Sequence, residues 1–162
     1  MEEYNKPYQK KKLTLNPTLS MQKIVEFEEK YNIKLPKELV AFYTQIANGA
    51  LLYPDEDICN LSPFEEWIFE KDWIQKDFII ENDLEYDYFR SLIDQGKRNW
   101  SFLNYGSVAI MDLGCAMTYN IIVKGKHYGE IYGDFEMWLP FTNKNFLDWL
   151  ESCLDGKEEN ML

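Results

Sequence analysis

"IKLPKELVAFYTQIANGA", residues 33–50, decides how this chain is read. Pro36 suits the first turn of a helix, where its missing N–H leaves nothing unsatisfied. Leu39, Phe42 and Ile46 then recur at i, i+3 and i+7 on one helical face, and Gly49 supplies a left-handed stop. Just upstream, Ser20 is a candidate N-cap, and Ile24, Phe27 and Tyr31 repeat the same spacing while Glu26, Glu28, Glu29 and Lys30 take the other faces. Two short amphipathic helices with a tight connection make an αα-hairpin, with Ile33 and Leu35 plugging the space between them. Their apolar faces need a sheet to cover.

The remainder of the chain supplies one. "ALLYP" (50–54) and "ICNLSP" (58–63) read as short strands ended by proline. "SVAIMDL" (107–113), "AMTYNIIV" (116–123) and "HYGEIYGDF" (127–135) read as three more, with Gly125 in a hairpin turn. "TNKNFLDWLESCLDG" (142–156) predicts a closing helix, from Thr142 as candidate cap through Phe146, Trp149, Leu150 and Cys153 to Gly156. The expected fold is α+β: a central, mainly antiparallel sheet flanked by an N-terminal αα-hairpin and a C-terminal helix.

At 162 residues with 46% hydrophobic content, the chain can bury one core, which predicts a single domain over 1–162. Residues 1–17, with Pro7, Pro17 and the run Lys10, Lys11, Lys12, read as a loose arm lying on that domain. No apolar segment follows these lysines and no run approaches membrane-spanning length, so the expectation is a soluble, cytoplasmic protein with no membrane partner. Cys59, Cys115 and Cys153 are odd in number and form no C-x-x-C, which suggests free thiols rather than a disulfide framework or a zinc site.

The formal net charge is -11, which disfavours direct binding to nucleic acid and to anionic membrane and favours a basic partner. Residues 53–90 hold twelve acids against three bases, and so carry most of that excess. Aromatic residues are interleaved there, in "FEEWIFEKDWIQKDF" and "ENDLEYDYF". Such a mixture can pair a steering field with contact anchors. It equally fits an exposed acidic helix and loop whose aromatics face the core.

Catalytic and metal patterns fit poorly. His127, the only histidine, lies beside the predicted hairpin turn with no recognisable nucleophile motif. "DEDICN" and "NDLEYD" lack the sixth-position glycine and distal glutamate of a calcium loop. Asp112 and Asp134 could be imagined as paired carboxylates, but turn and capping roles are commoner for such residues. Gly125, Gly129 and Gly133 interrupt strands and read as turn and bulge residues rather than as a phosphate loop. No catalytic residue, metal ligand or cofactor is expected.

"IVEFEEKYNIKLPKELVAFYTQIANGA" (24–50) resembles the amino-terminal signature of the SUKH superfamily, the Smi/Knr-like domain, with its E-x-x-x-x-I-x-L-P junction and its helix ending in N-G-G or a variant. The matching positions are Glu28 or Glu29, Ile33, Leu35, Pro36, Phe42, Asn48 and Gly49. "LGCAMTYNIIVKGKHYGEIYGDF" (113–135) is similar to the later strands of that superfamily at Gly114, Cys115, Gly129, Ile131 and Tyr132, and "FLDWLESCLDG" (146–156) to its closing helix. Two departures are Ala50, where a second glycine is common, and Ala116, where glycine is frequent. The resemblance covers 20–50 and about 107–156 and leaves the acidic middle unmatched.

The resemblance implies an α+β domain used in bacteria chiefly as an immunity protein, one that binds and blocks a toxin domain, often a nuclease. It implies no enzyme activity. On that reading the partner is a cognate toxin with a basic surface, and the partner-binding candidates are Asp55, Glu56, Asp57, Trp67, Glu70, Trp73, Glu81, Asp83, Glu85, Tyr86, Asp87 and Tyr88. The alternative is an intracellular regulatory scaffold or adaptor of the same fold with no toxin partner.

Overall fold

The computed structural model describes residues 14–51, 60–81, 84–97, 100–135 and 138–155. Helix α1 (Met21–Tyr31) begins at Ser20, whose side chain accepts the Lys23 N–H. It ends at Asn32, which turns left-handed (φ 49°) and returns its N–H to the carbonyls of Glu28 and Glu29. Helix α2 (Lys37–Gln45) starts five residues after Asn32, with Pro36 in the N-cap position.

Glu28 welds the two helices together. It is buried, while Glu29 is exposed, so the first of the two glutamates is the one the junction uses. Its Oε1 accepts the Leu35 N–H at 2.8 Å, and its Oε2 lies 2.6 Å from Lys34 Nζ. A carboxylate at this place satisfies a backbone donor just ahead of α2 and sits at the positive end of its dipole. Ile33 and Leu35 are both buried, as the plug between the helices requires.

The exit from α2 differs from expectation. The helix stops at Ile46, whose N–H still reaches Phe42 O but whose side chain is exposed rather than on the buried face. Gly49 is left-handed (φ 84°), yet it lies three residues past this cap. A Cβ there would stand 2.7 Å from Leu61 O and 2.8 Å from Pro63 N, so the glycine serves a close crossing of two chain segments.

Strands β1 (Thr14–Leu15), β2 (Ala50–Leu51), β3 (Asn60–Leu61), β5 (Ser107–Gly114), β6 (Met117–Ile122), β7 (Glu130–Asp134) and β9 (Phe141–Asn145) form one sheet in the order β1-β2-β3-β5-β6-β7-β9. Every neighbouring pair is antiparallel. Strands β4 (Leu84–Glu85) and β8 (Trp138–Leu139) pair separately, and helix α3 (Tyr86–Asp94) follows β4. Helix α4 (Phe146–Leu154) closes the described chain.

Two expectations need correcting. Thr14 and Leu15, assigned to a loose arm, form the edge strand beside β2. Thr142 is not a helix cap: it lies within β9, where its Oγ1 donates to Ile131 O at 2.8 Å, and the cap of α4 is Asn145, whose Oδ1 accepts the Asp148 N–H at 3.0 Å.

The pleat sorts side chains to two faces. Val108, Ile110, Tyr119, Ile121 and Ile131 join Ile24, Leu39, Phe42, Phe146 and Trp149 in the main core beneath α1, α2 and α4. On the opposite face Ile122 and Tyr132 pack with Phe78, Phe102, Leu139 and Phe141 in a second cluster. Tyr132 Oη donates to Leu103 O at 3.0 Å and lies 2.9 Å from Ser107 Oγ, which anchors this second layer. The residues of the opposite face nearer the β5–β6 turn, Ala109, Thr118, Asn120 and Asp134, belong to neither cluster.

That turn carries backbone strain. Cys115 (φ 50°) and Ala116 (φ 61°) are both left-handed, the two-residue geometry whose twist suits a hairpin and which favours Asn-Gly. A left-handed backbone favours glycine, so an alanine at position 116 is strained. Ala50, by contrast, is a buried strand residue of β2 and needs no special conformation. Ala116→Gly is expected to stabilise the protein by about 0.5–1 kcal/mol, the left-handed relief less the added freedom of the unfolded chain, read as a higher urea midpoint.

Candidate partner-binding face

The segment after β3 turns through a 3₁₀ helix (Phe64–Glu66) and then runs beside β5. Asn48 sets its start: Oδ1 accepts the Phe64 N–H at 2.8 Å and Nδ2 donates to Glu65 Oε2 at 2.9 Å. Lys23 of α1 holds the other Glu65 oxygen at 2.7 Å. Further on, Ile68 exchanges both backbone hydrogen bonds with Ala109.

This register leaves Ile68 60% exposed as a ridge between two depressions. The larger, of about 480 Å³, has Glu66 and Asp112 in its wall. The smaller, of about 260 Å³, has Glu70 and Asp134 in its wall together with Ser107, Thr118 and Asn120. Asp112 and Asp134, weighed above as one carboxylate pair, thus belong to separate hollows. Asp112 Oδ1 also accepts the Gly114 N–H at 2.8 Å, a turn role.

The polar lining of the smaller hollow is held in place from beneath. Asn120 is only 5% exposed, and its Nδ2 donates to Thr118 Oγ1 at 2.9 Å. Ser107 is fixed by Tyr132. Partial burial pushes the Asp134 carboxyl above its usual pKa, because desolvation disfavours the charged form. A raised carboxylate pKa means that the stability Asp134 contributes is full below the unfolded value and is lost as pH rises through the folded one. At neutral pH its charge therefore works against the fold.

Other acids are neutralised internally. Lys23 and Asn48 hold the Glu65 carboxyl down at about 2. Lys126 Nζ, 2.9 Å from Glu81 Oε2, lowers the Glu81 pKa. Among the described residues Glu66, Glu70, Asp72 and Asp77 form no ion pair. For Glu65 the folded pKa lies below the unfolded one, so its stabilisation is present above pH 4.5 and disappears as pH falls toward 2. Screening at a half-exposed pair limits the effect to about 1 kcal/mol. Urea titrations at pH 6 and pH 2.5 are expected to show a smaller difference for Glu65→Gln than for the unaltered chain.

The residues expected to contact a partner are placed as follows. Asp55, Glu56, Asp57 and Asp83 lie outside the described residues. Glu85 is in β4, and Tyr86 and Asp87 open α3. Tyr88 is 58% exposed on the same helix, and Glu70 and Glu81 are exposed. Trp73 is half-buried, its ring centroid 6.3 Å from that of Tyr105.

Trp67 does not fit a surface anchor. It is buried, with its ring 5.0 Å from that of Tyr43 and 4.7 Å from that of Phe64, and its Nε1 donates to Tyr43 Oη at 3.1 Å. The 3₁₀ helix turns its indole inward to complete the main core, where a buried N–H needs the partner that Tyr43 supplies. His127 is engaged too: Nδ1 lies 3.1 Å from Glu130 Oε2, and its ring packs against Phe141. Among the described residues no group of three or more His, Cys, Asp or Glu side chains converges to hold a metal ion, and no helix is long and apolar enough to cross a membrane.

The α+β domain thus has one face of its sheet closed by helices, and part of the other is open and acidic. The family model of the SMI1/KNR4 family (SUKH-1) matches residues 18–152, and the chain belongs to that family. No significant match was found among curated proteins or among solved structures.

Proposed function

We propose that this chain is a cytoplasmic immunity protein that binds and neutralises a cognate toxin, a basic, nuclease-like protein, by acidic surface complementarity. The observation that carries the reading is the set of outward carboxylates that form no ion pair among the described residues, Glu66, Glu70, Asp72 and Asp77, in an SMI1/KNR4-family chain of net charge -11. A nuclease needs a basic face for its phosphate substrate, and an acidic inhibitor meets that face with complementary potential and rapid association. Speed matters where self-poisoning competes with neutralisation. The chain acts by occupying the toxin, without catalysis, cofactor or direct contact with nucleic acid.

Co-expression in a bacterium with the protein encoded beside its gene tests this. The chain is expected to rescue growth, and reversal of the acids within 53–90 is expected to slow association about tenfold at low salt and to flatten its salt dependence. A harmless neighbour would instead favour a regulatory scaffold of the same fold.

A further inference from the structure

We infer that the smaller depression, between Ile68 and the β6–β7 strands, is a socket for an arginine side chain presented by a basic protein partner. This rests on the reading of the chain as a binder of such a partner and names what its open face grips.

Asp134 motivates it. Its carboxyl is partly withdrawn from water, makes no hydrogen bond or ion pair among the described residues, and shares its hollow with a second acid, Glu70. Among the described residues no Lys, Arg or His lines the hollow, so none of them neutralises these two charges from its wall. Glu28, the one buried acid among the described residues, is by contrast paired with Lys34 and the Leu35 N–H. A carboxylate kept partly desolvated and unpaired costs stability, a cost that a binding site recovers when a cation arrives.

The surroundings select among cations. The remaining polar groups are neutral and pre-set: Thr118 and Asn120 are tied to each other, and Ser107 is tied to Tyr132. Several acceptors spread around one hollow suit the planar five-donor fork of a guanidinium, which is also more weakly hydrated than an ammonium and so easier to bury. Beside them Ile68, largely exposed, and Phe69, half-buried, offer apolar surface on which an arginine stem can lie. Such combinations of a buried arginine and an apolar rim dominate interface energy.

The full chain, titrated with Nα-acetyl-arginine methylamide and followed by backbone amide NMR, provides the test. Saturable shifts are expected at residues 68–70, 118–120 and 134, at least about tenfold weaker with the lysine counterpart and absent with the uncharged citrulline analogue. D134N and E70Q are each expected to weaken the arginine response about tenfold or more. D134N is also expected to melt no lower than the unaltered chain, because the charge it removes opposes folding; a merely structural Asp134 would melt lower.

Shifts scattered over the surface, equal shifts with lysine or citrulline, or unchanged binding by both variants would overturn the socket. Neutralisation of a toxic neighbour that survives both substitutions, with no arginine shifts, removes the socket and leaves the immunity reading intact. Localised arginine shifts in a chain whose neighbour is harmless keep the socket and remove the immunity reading.

Discussion

Leu35→Asp is expected to abolish cooperative folding. Leu35 is 4% exposed, at the point where α1 and α2 meet the sheet, and truncating a leucine in such a site costs about 2–5 kcal/mol before any charge is considered. The new carboxylate would enter the core cluster that holds Ile24, Ile33 and Leu39, where among the described residues no cation is buried. It would also lie close to Glu28, because the amide of residue 35 itself donates to Glu28 Oε1 at 2.8 Å. Lys34 is already committed to Glu28. An unpaired buried charge adds several kcal/mol, and the total approaches the whole stability of an ordinary domain, about 5–15 kcal/mol.

Pro36→Ala, one residue on, is the informative contrast. It leaves Glu28 and the Leu35 amide in place and forfeits little beyond the restriction that proline puts on the unfolded chain and the packing of its ring, about 1 kcal/mol. Circular dichroism melts should show a two-state transition for Pro36→Ala, a few degrees below the unaltered chain, and none for Leu35→Asp. The reverse order would mean that the helix junction is not held as described.

The same junction shows what a sequence can and cannot disclose. Ser20, the i, i+3, i+7 apolar spacing and the Leu35-Pro36 step are local signals, and the starts of α1 and α2 follow from them, whereas the end of α2 at Ile46 does not. The strands β5, β6 and β7 are legible for a similar reason: their β-branched and aromatic residues fill a pleated, half-buried surface. The two-residue strands β1, β4 and β8 carry too little pattern to be seen, since pairing partners far along the chain define them. Strand β9 reads "FTNKN", polar enough to pass for the approach to a helix, and its pairing with β7 reveals it.

The candidate site was legible in kind more than in place. The negative charge of 53–90 is plain in the sequence, but which of its acids remain unpaired depends on Lys23, Asn48 and Lys126, contributed by other elements. Trp67 looks like an anchor until Tyr43, from α2, supplies its hydrogen bond. Asp134 looks like a turn residue until the sheet register sets it beside Thr118 and the 66–70 segment adds Glu70 to the same hollow. Half-burial of a carboxylate is a tertiary property, and no local spacing announces it.

Gly49→Ala is expected to be the second most damaging of these substitutions, lowering stability by about 2–4 kcal/mol. Two separate effects combine there. The backbone is left-handed at φ 84°, which costs an alanine about 1–2 kcal/mol. The added Cβ would also stand 2.7 Å from Leu61 O, 2.8 Å from Pro63 N and 3.0 Å from Ser62 C, all backbone atoms that cannot swing aside. Gly114 separates the two contributions, because it shares the left-handed backbone (φ 79°) but has nothing within 4 Å of an added Cβ. Gly114→Ala should therefore show the conformational strain alone, and the difference between the two urea midpoints at equal slope measures the crossing of chain segments at Gly49. Equal losses at both positions would mean that 61–63 can move away from residue 49. Residues 61–63 line the larger acidic depression, as Gly114 does, so amide shifts at 61–63 are expected to be large for Gly49→Ala and small for Gly114→Ala.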